Sequence, residues 1–315
     1  MPKSFVVIYN LTESQRAAIT AAASGRAELK FLDIGEWDDA IERAEVLLGD
    51  IHPPHIERAA NLKWVQTCYA GVERLVELAK TRGFTLTNAS GAFGEGLSEY
   101  LLLYTLAIQK QLPQYLAAQS RHEWVNLGTA SSISTSTVTV VGVGDIGGAY
   151  ARKMKALGAT VRGVKRTASA KPDYLDELYT IDELDAALAG TDIVALCLPN
   201  TPNTAGILTR ERIEALKHGA IILNIGRGGA IDQDALIDAL QNKRVFAGLD
   251  VTTPEPLPKD SPLWDCENLI LTPHVSGFAS SPLTGTYVAA LIARNITAYL
   301  DGKPLESLVD LNLGY

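Results

Sequence analysis

Val138-Thr139-Val140-Val141-Gly142-Val143-Gly144-Asp145-Ile146-Gly147 is the stretch whose reading decides the fold. Its β-branched run, Val138–Val143, reads as a strand, and Ile146–Leu157 reads as an amphipathic helix. Gly-x-Gly-x-x-Gly therefore stands at a strand-to-helix turn, the setting that separates a dinucleotide fingerprint from a chance match. Gly142 permits the tight turn, Gly144 lets the backbone approach a pyrophosphate, and Gly147 lets helix and strand pack closely. With Asp145 and Ile146 the helix opens, and its free N–H groups and positive dipole end suit an anion. The alternative is a glycine-rich turn in some other α/β protein.

Working downstream, the strand Thr160–Val164 should end in an acidic residue if it meets a ribose with free hydroxyls. It runs instead into Lys165-Arg166-Thr167, with Lys165 18 residues past Gly147. Basic groups suit a 2′-phosphate, which a carboxylate would repel. The expected cofactor is NADP(H), with NAD(H) possible; the alternative is a solvated pair of surface charges.

Further strands are expected at Ile193–Leu198, Ala220–Ile225, Val245–Val251 and Leu269–Thr272, with helices between them such as Gln233–Gln241. Upstream, Phe5–Tyr9, Leu29–Leu32, Val46–Leu48, Trp64–Thr67 and Thr85–Thr87 alternate with helical stretches such as Glu13–Ala23 and Gly71–Ala79. Strands alternating with helices predict parallel sheets with crossover helices. Ser98 is placed as the N-cap of a helix over Glu99–Gln111, and Pro113 as its stop. Residues 113–136 read as an arm plus a linker, and His52 and His55 flank Pro53-Pro54 in a loop. A last helix is expected over Thr284–Leu300.

Three segments end strands of the second block: Ile225-Gly226-Arg227-Gly228, Asp250-Val251-Thr252-Thr253-Pro254-Glu255-Pro256 and Thr272-Pro273-His274-Val275-Ser276. Ligands of open α/β sheets bind outside the carboxyl ends of the strands, so Arg227, Glu255 and His274 should converge. Reducing a 2-keto acid needs a hydride at the carbonyl carbon and a proton on the oxygen. His274 can supply that proton near neutral pH. Glu255 on the other ring nitrogen would favour the charged imidazole and fix its orientation. Arg227 can bind a carboxylate and polarise the carbonyl, and glycine on both sides of it suggests close ligand approach. The alternatives are a structural histidine at a turn, a surface arginine and an exposed loop glutamate.

The chain's 315 residues exceed one ordinary core, so two domains are expected. A net charge of −8 argues against nucleic acid as a partner. No apolar run reaches the ~18 residues a membrane helix needs, and the N-terminus enters a strand without a signal peptide, so a cytoplasmic protein is expected. Cys68, Cys197 and Cys266 are far apart and form no Cys-x-x-Cys, which predicts buried free thiols and no metal site.

In these motifs the chain resembles the D-isomer-specific 2-hydroxyacid dehydrogenase family, and specifically its glyoxylate/hydroxypyruvate reductase-like, NADP-preferring branch. The matching segments are Gly142–Gly147, Leu196-Cys197-Leu198-Pro199 with Thr204, Asn224–Gly228, Asp250–Pro256 and Thr272–His274. Gln66-Thr67-Cys68-Tyr69-Ala70-Gly71-Val72 resembles the family's substrate-domain loop. The resemblance implies a Rossmann dinucleotide-binding domain (96–283, with a dimerisation arm at about 113–136) inserted into a flavodoxin-like α/β substrate domain (1–95 and 284–315). It implies an Arg227–Glu255–His274 catalytic set, a small 2-keto or 2-hydroxy acid substrate, products of D configuration and a homodimer. It also implies cofactor contacts from Leu198, Pro199, Thr204, Ile225, Gly226, Arg227, Asp250, His274 and Ser276. Tyr69, Ala70 and Gly71 would hold the substrate carboxylate, with Arg227 and His274. Phe278, after the histidine segment, departs from the common pattern. The competing reading is a nucleotide-sensing, corepressor-like interaction protein on the same scaffold; the three polar catalytic residues favour the enzyme.

Overall fold

The computed structural model describes residues 3–277 and 281–315, so Phe278 lies outside the described residues. The chain divides into two compact units, Met1–Phe93 with Phe278–Tyr315, and Gly94–Gly277. The first division falls two residues before the expected boundary because the helix that opens the second unit starts at Gly94.

The first unit holds β1 (Lys3–Ile8), β2 (Ala27–Leu32), β3 (Val46–Gly49), β4 (Trp64–Thr67) and β5 (Thr85–Thr87), all parallel, in the order β2-β1-β3-β4-β5. That is the flavodoxin-like doubly wound order. β3 and β4 are buried at every position, as strands covered by helices on both faces must be. Thr12 and Gln15 form a capping box at the helix Glu13–Ala23, satisfying two N–H groups that would otherwise lack partners. The helix Pro282–Leu300 returns from the far end of the sequence to this unit. It places Tyr299 against Trp64, ring centroids 5.1 Å apart, and its Asn295 donates to the Gln66 side chain at 2.7 Å. Gln66 and Thr87 are fully buried, and Trp64 and Gln66 each hydrogen-bond Thr87, so this polar group inside the core is paired.

The second unit holds β6 (Thr137–Val141), β7 (Thr160–Lys165), β8 (Glu177–Thr180), β9 (Ile193–Leu196), β10 (Ala220–Asn224), β11 (Val245–Leu249) and β12 (Leu269–Leu271). The parallel order is β12-β11-β10-β9-β6-β7-β8, the Rossmann arrangement with one strand added at its β12 edge. Register fixes a straight row across this sheet. Val164, Val141, Leu196, Asn224, Leu249 and Leu271 are successive partners on neighbouring strands.

Several local expectations give way. The helix Gly94–Gln109 starts before Ser98, whose hydroxyl donates back to the Glu95 carbonyl at 2.9 Å inside the helix. Pro113 does not stop it. Gln111 does, in a left-handed conformation, and Pro113 then sits in the first turn of a new helix, Leu112–Ser120, where its missing N–H costs nothing. His52 and His55 are not in a loop: His52 caps the short helix Pro53–Arg58, and its N–H is received by His55 Nδ1 at 3.0 Å. β8 was not expected at all. No helix among the described residues is long and apolar enough to cross a membrane.

Candidate active site

The row of strand ends carries the site. Gly142 follows Val141 of β6, Lys165 follows Val164 of β7, Leu198 lies two residues past Leu196 of β9, and Arg227 three past Asn224 of β10. Glu255 lies six residues past Leu249 of β11 and His274 three past Leu271 of β12. These residues thus emerge at one edge of one sheet.

The fingerprint turn is built as its glycines require. Gly142 has φ +96°, and a Cβ there would stand 2.5 Å from the Cys197 carbonyl oxygen. A Cβ at Gly147 would collide with the Gly142 carbonyl, so the helix Asp145–Ala156 can only come this close to β6 with glycine there. Around Gly144 the space is open: nothing lies within 4 Å of where its Cβ would be. No side chain caps the helix, and the Ile146 and Gly147 N–H groups have no partner among the described residues. An open backbone surface at a positive helix end fits a pyrophosphate. At the end of β7, Lys165 Nζ reaches the Ser169 hydroxyl at 3.2 Å, and Arg166 and Thr167 beyond it are exposed. No carboxylate intervenes between Val164 and Lys171, which fits a further anion on the ribose. Ser169 adds a hydroxyl that sequence reasoning missed. Thr204 works on its own loop: its hydroxyl donates to the Pro199 carbonyl and accepts from the Thr201 N–H at 2.9 Å, folding residues 199–204.

The glycines flanking Arg227 have a packing cause besides the ligand approach expected. A Cβ at Gly226 would lie 2.7 Å from the Leu198 carbonyl oxygen, and one at Gly228 would strike the Thr252 backbone. They let two neighbouring loops close against the arginine's own segment. Asn224, also missed, braces that segment: its side chain accepts from Gly226 N–H at 3.1 Å and donates to the Arg227 carbonyl at 2.8 Å.

His274 Nδ1 lies 2.8 Å from Glu255 Oε2. Glu255 Oε1 accepts the Thr252 N–H at 3.0 Å, which sets the carboxylate's angle. A carboxylate can only accept, so Nδ1 carries the proton and Nε2 is left for another partner. With side chains 50% and 38% exposed, such a pair contributes little to stability, and its consequence is orientation. His274 has φ +55°, a conformation costing about 1–3 kcal/mol outside glycine. It is held there by its N–H, bonded to the Asp250 carbonyl at 2.8 Å. The Asp250 side chain, 1% exposed, accepts from Thr272, from the Val275 N–H and from the N–H and hydroxyl of Ser276. Asp250 and Ser276 therefore shape the His274 turn.

In the first unit, the loop after β4 holds Tyr69, Ala70 and Gly71. Tyr69 spends its hydroxyl on the Ile51 carbonyl, and its ring stacks on His52; burial pushes its phenol far above the usual range. Thr67 and Asn88 hold the Tyr69 and Ala70 carbonyls at 2.7 and 2.9 Å. That turns the chain so that the Ala70 and Gly71 N–H groups have no partner among the described residues. The three cysteines are free. Among the described residues, no group of three or more His, Cys, Asp or Glu could hold a metal ion.

Open parallel sheets, a glycine cradle and paired His and Glu at the strand ends define a dinucleotide-binding oxidoreductase class. The sequence profile of the D-isomer specific 2-hydroxyacid dehydrogenase NAD-binding domain matches residues 102–276. The D-3-phosphoglycerate dehydrogenase of Mycobacterium bovis is 32% identical over 96% of this chain, which spans 59% of that relative's length. Glyoxylate/hydroxypyruvate reductase A of Serratia proteamaculans is 31% identical over 84% of this chain and 85% of its own. A D-isomer specific 2-hydroxyacid dehydrogenase of Xanthobacter autotrophicus, solved with NADPH and MES, is 30% identical with a TM-score of 0.84, covering 100% of both chains. The chain belongs to the D-isomer-specific 2-hydroxyacid dehydrogenase family, and its second unit is an NAD(P)-binding domain.

Proposed function

We propose that this chain reduces small 2-keto acids to D-2-hydroxy acids, with NADPH as the preferred cofactor. The observation that carries the reading is the His274–Glu255 pair at 2.8 Å, on the sheet edge that also bears Arg227. A bound reduced nicotinamide supplies the hydride. Arg227 takes the substrate carboxylate and polarises the carbonyl. In its doubly protonated form His274 delivers the Nε2 proton to the carbonyl oxygen and is left as the neutral ring with its Nδ1–H on Glu255. Lys165, Arg166 and Thr167 are assigned to the ribose 2′-phosphate. The Xanthobacter relative binds NADPH and the Serratia relative is a glyoxylate/hydroxypyruvate reductase; both support the choice.

The same reading makes the protein a cytoplasmic homodimer joined through its second unit, where Leu103, Leu112, Leu116 and Trp124 are exposed. The test is NADPH oxidation with glyoxylate, hydroxypyruvate, pyruvate and phenylpyruvate. His274→Ala should lower kcat by ~10²–10⁴ with NADPH binding intact. Absence of turnover on every keto acid by a protein that still binds NADPH, or wild-type turnover by His274→Ala, refutes the proposal.

A further inference from the structure

A line of hydroxyls runs from the core to the turn that bears His274. Tyr104, on the helix Gly94–Gln109, is 1% exposed, and its hydroxyl meets the Thr272 hydroxyl at 2.5 Å. The Thr272 hydroxyl in turn meets Asp250 Oδ1 at 2.5 Å. A carboxylate only accepts, so Thr272 donates to Asp250 and its lone pairs receive the Tyr104 O–H. Burial holds the Tyr104 phenol far above the usual range, keeping it a neutral donor. β11 is cut to admit this ring: a Cβ at Gly248 would stand 2.9 Å from Tyr104 Cβ and Cγ. Beyond Asp250, the carboxylate collects the Val275 N–H and both donors of Ser276, and the Asp250 carbonyl takes the His274 N–H.

We propose that Tyr104 and Thr272 are positioning residues: their linked hydroxyls orient the Asp250 carboxylate, residues 272–276 fold around it, and His274 is thereby fixed in its left-handed backbone conformation. The physical logic is that a turn with φ +55° at a histidine persists only where surrounding bonds overdetermine it. Tyr104 is 168 residues from Thr272 in sequence, so the helix that opens this unit reaches the imidazole without touching it. This assignment rests on the reading of His274 as the acid.

The test uses the full chain with three near-isosteric variants, Tyr104→Phe, Thr272→Val and Thr272→Ser, and two readouts. One is kcat and KM for NADPH-dependent reduction of the best keto acid. The other is the imidazole NMR signal of His274 in the cofactor-free protein, identified by its loss in His274→Ala. Tyr104→Phe and Thr272→Val should each lower kcat by about 10- to 100-fold, the scale of a sub-ångström to 1 Å misplacement, with KM for NADPH unchanged. Both should shift the His274 signal, the double variant should be no worse than the poorer single, and Thr272→Ser should retain wild-type behaviour. An unshifted His274 signal with wild-type kcat in both variants, or a lowered Tm as the only change, overturns the proposal. The NMR readout survives failure of the catalytic reading, since it needs neither substrate nor turnover.

Discussion

Lys165 offers a clean separation of cofactor recognition from folding. Its ammonium forms no ion pair among the described residues and touches only the Ser169 hydroxyl, at 3.2 Å. Deleting it should leave stability within the scatter of a surface change, about 0.5 kcal/mol either way. If it holds the 2′-phosphate, Lys165→Ala removes one charge-assisted hydrogen bond, about 1.5–3 kcal/mol, or roughly a 10- to 150-fold weaker Kd for NADPH. Kd for NADH should stay nearly constant, because its ribose presents no such anion. Lys165→Glu should go further, repelling the phosphate while giving the free 2′-hydroxyl of NADH an acceptor. Fluorescence titration of the four protein–cofactor combinations reads both effects, with thermal melts run in parallel. An unchanged NADPH affinity in Lys165→Ala, or a wild-type protein that binds NADH more tightly, refutes the assignment of this loop to a 2′-phosphate.

Two further outcomes follow from the geometry. In Gly147→Ala the new methyl meets the Gly142 carbonyl and, at 2.9 Å, Val140 Cγ1; overpacking of about 1–3 kcal/mol should lower Tm by several degrees and weaken NADPH binding together, and a neutral result in both assays counts against the tight turn. Lys155, 2.6 Å from Asp176, and then the Val161 N–H hold the Asp176 carboxyl below its ordinary 3.8. A lowered folded value means stability present above that ordinary value and lost as pH falls through the folded one. The Tm gap between wild type and Asp176→Asn should therefore be open at neutral pH and close in that acid window; a gap independent of pH would contradict it.

The alternation of short apolar runs with helical stretches was legible because parallel strands here are buried on both faces, as in β3, β6 after its first residue, β9 and β10. β8, Glu-Leu-Tyr-Thr, escaped notice because it is a half-buried edge strand with no period to read. The start of the helix at Gly94 was hidden by two glycines. A side chain at Gly94 would run into Asp145, and that packing requirement is not written in local propensity. The His274 and Glu255 positions could be read from strand ends, since parallel strands in register align whatever follows them. The packing role of the glycines about Arg227 was not legible, because the loops they admit, at Leu198 and Thr252, come from other strands. Tyr104, Thr272 and Asn224 act through bonds to backbone or to distant hydroxyls, and spacing along the chain carries no trace of such partners.

The far-travelled helix Pro282–Leu300 has a consequence for biosynthesis. The second unit is one uninterrupted segment and can fold as soon as residue 277 clears the ribosome. The first cannot: Trp64 and Gln66 wait for Tyr299 and Asn295, which emerge more than two hundred residues later. Until then the nascent amino-terminal sheet bears an uncovered apolar face, and the Gln66 amide lacks the Asn295 donor. It is that stretch of the growing polypeptide, and not the nucleotide-binding half, on which a holding chaperone would act.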